Sequence, residues 1–113
     1  MKYEIVTTDD FDREVKKLAK KYHSFLDDLV SFKKELLNNP LMGADLGCNF
    51  RKVRMAIASK NKGKSAGARV ITCNVLIDTE NTDIYLLDIY DKSQKDTITK
   101  QELELLKVKH GLR

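Results

Sequence analysis

Acidic residues are missing from the whole interval between Asp45 and Asp78, while the same interval holds seven basic ones: Arg51, Lys52, Arg54, Lys60, Lys62, Lys64 and Arg69. The 113-residue chain has a net charge of +4, so without these seven it would be net negative. That pattern excludes a uniformly basic protein and predicts a local positive field suited to a polyanion. Cysteine is limited to Cys48 and Cys73, far apart and without CxxC or Cys/His spacing, which favours two free thiols over a disulfide or a zinc site. No apolar run is long enough to span a bilayer, and the opening MKYEIVTTDD lacks the apolar segment of a signal peptide. A cytoplasmic location with no membrane partner is therefore expected. With 42% hydrophobic and 34% charged residues, the composition suits one folded domain over residues 1–113 and argues against disorder.

What is present reads as alternating strands and helices. Lys2 to Thr7 is rich in β-formers, and Thr8, Asp9 and Asp10 offer N-caps for a helix whose stripe is Phe11, Val15, Leu18, Ala19 and Tyr22. Ser24 with Asp27 has the form of a capping box for a second helix through Leu26, Leu29, Val30, Leu36 and Leu37. Asn38-Asn39-Pro40 should end that helix, and Pro40 to Asn49, with the single proline and two glycines, reads as a loop. Lys52 to Ala58 alternates Val53, Met55 and Ile57 with Lys52, Arg54 and Ala56, so one face is apolar and the other begins basic. Ala68 to Ile77 is apolar on both faces, as a central strand must be, and Asp83 to Asp91 follows as the last strand after a turn. Thr99 and Glu102 form another capping box, with Ile98 and Leu103 as a hydrophobic staple, so a final helix should start at Lys100 and stop at Gly111. The expected fold is α+β: an N-terminal strand, a two-helix hairpin, a three-stranded antiparallel meander and a C-terminal helix. The strands form one mixed, mostly antiparallel sheet, covered by helices on one face.

If the two middle strands pair as a hairpin, Lys52 and Arg54 come beside Arg69 on one face, with Lys60, Lys62 and Lys64 on the loop above. Cross-strand neighbours lie roughly 5 Å apart, close enough to share a phosphodiester. Taken singly, the three loop lysines read as solvated side chains, whereas an arginine at the head of an apolar strand face calls for a partner. Gly63-Lys64-Ser65 lacks the spacing of a nucleotide-binding P-loop and leads into a strand rather than a helix. His23 and His110 fall at helix ends, away from the basic hairpin. Asp88 and Asp91 flank a strand end, where they can answer nearby lysines, and Asp88 could also orient Arg69 or Arg54. Tyr90, Lys92 and Lys95 close the last strand.

With these elements in hand, the segments RKVRMAI, KGKSAGARVI and IYLLDIYDKS resemble the RelE/ParE superfamily of type II toxins, and most of all its HigB-like branch. The resemblance runs over essentially the whole chain in element order. It implies a small cytoplasmic toxin that acts on messenger RNA at the ribosome as a metal-independent endoribonuclease with no cofactor, and a cognate antitoxin, of helix-turn-helix type for a HigB-like toxin. The family's paired basic residues on the second strand and its arginine opening the third match Lys52, Arg54 and Arg69, and Lys92 stands where the later arginine falls. The C-terminal tyrosine has no counterpart, Ile98 lying near its place, and Tyr90-Asp91-Lys92 lacks the histidines of some HigB-type toxins.

In such a reaction the ribose 2′-hydroxyl attacks the adjacent phosphate, and charge grows on the phosphoryl oxygens. Arg69, helped by Arg54, is the expected stabiliser. Lys52 or Lys64 is the candidate base, as a lysine crowded by cations loses its proton more readily, and Lys92 or Tyr90 the candidate acid. Arg51, Lys60, Lys62 and Lys95 complete the expected RNA-binding set. Two other readings stay open: a ParE-like poison of DNA gyrase, and a non-catalytic nucleic-acid-binding module held by charge alone.

Overall fold

A computed structural model describes residues 1–61, 63–95 and 97–112. The elements are β1 (Lys2–Thr7), α1 (Asp9–Lys21), α2 (Phe25–Asn38), β2 (Ala44–Gly47), β3 (Phe50–Met55), β4 (Ala68–Leu76), β5 (Asn81–Asp91) and α3 (Lys100–Lys109), with short 3-10 turns at Ala58–Lys60 and Lys64–Ala66. One five-stranded sheet runs β1-β5-β4-β3-β2. β1 lies parallel to β5 and every other pair is antiparallel. The α+β class and the mostly antiparallel mixed sheet are those expected from the sequence. Among the described residues, no helix is long and apolar enough to cross a membrane.

Local chemistry accounts for most boundaries. Thr8 caps α1, its hydroxyl accepting from the Phe11 N–H at 3.3 Å, and acidic residues in the first turn with lysines in the last complement the helix dipole. Thr99 and Glu102 form the full capping box of α3. The box expected at Ser24 and Asp27 does not form. Ser24 has helical backbone angles (φ −85°, ψ −4°), unlike the extended cap that would aim its hydroxyl at the first-turn N–H groups; it donates instead to Asp28 at 2.7 Å.

The segment read as a loop from Pro40 to Asn49 contains the edge strand β2. Ala44 and Asp45 pair with Lys52 and Arg51, and the chain reverses through three consecutive residues of positive φ: Gly47, Cys48 and Asn49. Four residues that end on a glycine are too few to carry a strand signal; the turn and the free edge of β3 create the strand. β3 accordingly begins at Phe50 and ends at Met55, short of the expected Ala58.

Helices cover both faces of the sheet, not one. α1 and α2 bury Phe11, Phe25 and Leu36 against Val53, Met55, Val70, Ile84, Leu86 and Ile89. α3 packs Leu103 and Leu106 over Phe50, Ile71, Cys73, Leu87 and Tyr90 on the opposite face. β5 carries a bulge: Ile71 pairs with Asp88 and Thr72 with Leu86, so Leu87 is the extra residue. The bulge inverts the side-chain alternation beyond it, sending Ile89 to the α1 face and Tyr90 to the α3 face beside Arg69, its β4 partner.

Candidate functional site

α3 roofs only part of its face. Beyond the roof the same strand positions continue into a cleft of about 640 Å³, whose charged lining is Lys52 and Arg54 from β3, Arg69 from β4, Lys64 from the β3–β4 connection and Lys92 just past β5. Met42, Gly43 and Ala44 form a wall. Gly43 is required there: its φ is +90° and a Cβ would stand 2.4 Å from the Lys52 carbonyl oxygen. Among the described residues, the lining includes no carboxylate, histidine or tyrosine.

The predicted hairpin is present, and its register sets Arg54 directly opposite Arg69. Like charges in that relation work against a sheet, so their retention needs a reason. Arg69 is 6% exposed. Its guanidinium is cradled by carbonyl oxygens, of Ser65 at 2.9 Å, Ala68 at 3.3 Å and Lys64 at 3.4 Å. These dipoles offset the cost of its burial. Arg54 is exposed and, among the described residues, makes no side-chain hydrogen bond or ion pair. Lys52 donates to the Thr97 hydroxyl at 3.0 Å. Lys64 meets Glu35 of α2 at 2.5 Å in an exposed ion pair, so its charged neighbour is a carboxylate and not the crowd of cations the sequence suggested.

The other expected site residues lie elsewhere. Tyr90 is buried in the α3 core, where its hydroxyl accepts from the Ile98 N–H at 3.0 Å. Arg51 falls on the opposite side of β3 and donates to the Met42 and Gly43 carbonyls at 3.1 and 2.8 Å. Lys95 pairs with Glu102 and lies 5.0 Å from the Tyr90 ring centroid. Lys60, expected to overhang the cleft, is turned inward beneath the loop and bonded to Asp91 at 2.5 Å. Lys62 lies outside the described residues.

Asp91 is the residue whose importance the sequence understated. It is 1% exposed and receives hydrogen bonds from Lys60, Tyr22 and Ser93, with Lys21 at 3.5 Å. Burial pushes its carboxyl up, but the donors from Lys60, Tyr22 and Ser93 outweigh burial and hold it far below the usual carboxylate range. The reading of Asp91 as a strand-end acid answering lysines pointed this way, without locating the partners. Asp88 behaves oppositely: burial raises its carboxyl, only partly offset by the Ile89 N–H, and it contributes nothing to the cleft. Cys48 and Cys73 are free, and burial pushes the Cys73 thiol up to about 11. Among the described residues no group of three or more His, Cys, Asp or Glu side chains could hold a metal ion.

Chemically, the cleft is an anion site: a guanidinium fixed by the backbone, a second one free to reorient opposite it, and ammonium groups around them. The family model described as RelE toxin of RelE / RelB toxin-antitoxin system matches residues 4–111. No curated protein matches the chain.

Proposed function

Because the chain belongs to the RelE toxin family, the toxin half of a toxin-antitoxin pair, we propose that it is a ribosome-dependent messenger RNA endonuclease of the HigB-like branch. It acts in the cytoplasm to inhibit translation and is neutralised by a helix-turn-helix antitoxin. The observation that supports this reading most is the direct opposition of Arg54 and Arg69 in a cleft that also gathers Lys52, Lys64 and Lys92. A phosphodiester entering there meets cations from both strands and from the segments that flank them.

In the proposed reaction the 2′-hydroxyl attacks the neighbouring phosphorus in line and the 5′-oxygen leaves. Arg69, already oriented by three carbonyls, meets the charge growing on the phosphoryl oxygens without having to reorganise, and Arg54 closes from the facing strand. Lys52 is the preferred base, oriented by Thr97, since Lys64 is engaged by Glu35. Lys92 at the cleft edge is the preferred donor to the leaving oxygen. Tyr90 supports the wall beside Arg69 through its hydrogen bond with Ile98.

Inducing the chain without its antitoxin and mapping messenger RNA ends should reveal new cleavage within translated codons, abolished by Arg69→Ala. One observation favours a second reading. With no tyrosine or histidine in the cleft lining, a gyrase poison that binds without cutting also fits, and it would give filamentation and DNA damage with messenger RNA intact.

A further inference from the structure

Lys60 and Asp91 lie outside the cleft, yet they are bonded to the loop that holds its central arginine. The 3-10 turn Lys64–Ala66 and Gly67 carry four successive carbonyls, and each meets a cation. Those of Lys64 and Ser65 accept from Arg69 on the cleft side. Those of Ala66 and Gly67 accept from the Lys60 ammonium, at 2.8 and 3.4 Å, on the side of the α1 C-terminus. Asp91 fixes that ammonium and is itself the β5 partner of Ala68, the residue before Arg69. Tyr22 completes the enclosure: its ring centroid lies 5.3 Å from the Lys60 ammonium while its hydroxyl donates to Asp91. Gly67 closes the loop tightly, as a Cβ there would stand 2.1 Å from the Met55 carbonyl oxygen.

We infer that Lys60 and Asp91 are positioning residues for Arg69, acting through the Lys64–Gly67 loop as a clamp that sets where its guanidinium meets the substrate. The inference rests on the cleft being the site of RNA cleavage. An ammonium bonded to the end of a short turn resists displacement of the carbonyls just before it, and two of those carbonyls accept from Arg69. Loosening the clamp leaves every cleft cation in place but lets the guanidinium drift, and displacements on the order of 1 Å can cost about 100-fold in rate.

The test compares Lys60→Met with the pair Lys60→Met/Asp91→Asn, which leaves no lone buried charge and guards against simple unfolding. Cleavage of a defined messenger RNA is measured in a translation extract, and binding with a labelled single-stranded RNA. Either variant should lose about 10- to 100-fold in cleavage rate, bind RNA within about twofold of wild type, and lose nothing further when combined with Arg69→Ala. Losses that multiply in full with that of Arg69→Ala, or a folded double variant with full activity, would overturn the inference. A readout independent of cleavage is the Arg69 guanidinium N–H resonances in arginine-labelled protein. They should be distinct in the wild type and shift in the double variant. Unchanged Arg69 resonances overturn the clamp whatever the chain cleaves. Shifted resonances with a wild type that cleaves no RNA support the clamp and overturn the proposed function.

Discussion

At one end of the sheet the two faces treat positive charge in opposite ways. On the α1 face, Lys60 and Lys21 converge on one buried carboxylate, Asp91, and stack about the Tyr22 ring. On the α3 face, Arg54 and Arg69 stand opposite each other, and Lys52, Lys64 and Lys92 line the cleft around them. Lys60 comes from the same acid-poor interval as the two arginines, so a count of basic residues assigns all three the same role. Their surroundings separate them: a cation bonded to a buried carboxylate holds the fold, and a cation lining an open cleft is placed to meet a ligand.

Asp91→Ala tests this contrast with the largest expected effect. It would leave Lys60 buried without its counter-charge, at a cost of about 3–5 kcal/mol, visible as a fall in the midpoint of urea unfolding. Arg54→Ala on the other face should leave that midpoint unchanged or slightly raised, because it relieves repulsion. A comparable loss from both would erase the distinction. Next in size is Arg69→Ala, which should reduce messenger RNA cleavage by about 10²–10³-fold, the range seen when one preorganised donor to a developing anion is removed.

The pH dependence follows from the same network and should be smaller. Asp91 is held far below its ordinary range, so its contribution to stability is fully present above the unfolded carboxylate pKa and is lost as pH falls toward its folded value. Acid titration of wild type should therefore show a steep loss below about pH 4 that Asp91→Asn flattens. Asp88 has the reverse sign. Burial raises its carboxyl, so the ionised form opposes folding at neutral pH. Asp88→Asn should raise the melting temperature at pH 7, and that gain should shrink as pH drops through the carboxylate range. Equal shifts for the two variants at both pH values would contradict the assignment.

Legibility in the sequence tracked how local each signal is. The Thr99/Glu102 cap and the alternation of Val53, Met55 and Ile57 are set by neighbours a few residues away, and the structure has both. The Arg54–Arg69 pairing followed from the hairpin, because an antiparallel register relates nearby segments. Three features had no local signal. β2 exists because β3 offers it an edge; Ile89 and Tyr90 exchange faces because of the Leu87 bulge; and Lys60 turns inward because Asp91, 31 residues on, is buried beneath it. Within the cleft, residue identity revealed the charge but not which lysines were already engaged: Lys64 is distinguished from Lys52 only by Glu35, which arrives from α2.

The smallest effect sharpens the comparison residue by residue through salt. Each phosphate neutralised by a protein cation releases counterions, so the slope of log affinity against log salt flattens by roughly 0.7 for every phosphate that a substitution leaves without its cation on single-stranded RNA. Arg54→Ala and Lys52→Ala, both in the cleft, should each flatten that slope by about this amount. Arg51→Ala should leave it unchanged, although Arg51 is a sequence neighbour of Lys52 and carries the same charge as Arg54. Its guanidinium is committed to the Met42 and Gly43 carbonyls on the opposite side of the strand. A slope that flattened equally for all three substitutions would mean that RNA responds to the total charge of the β3 segment, and that the division between cations lining the cleft and cations committed elsewhere has no bearing on binding.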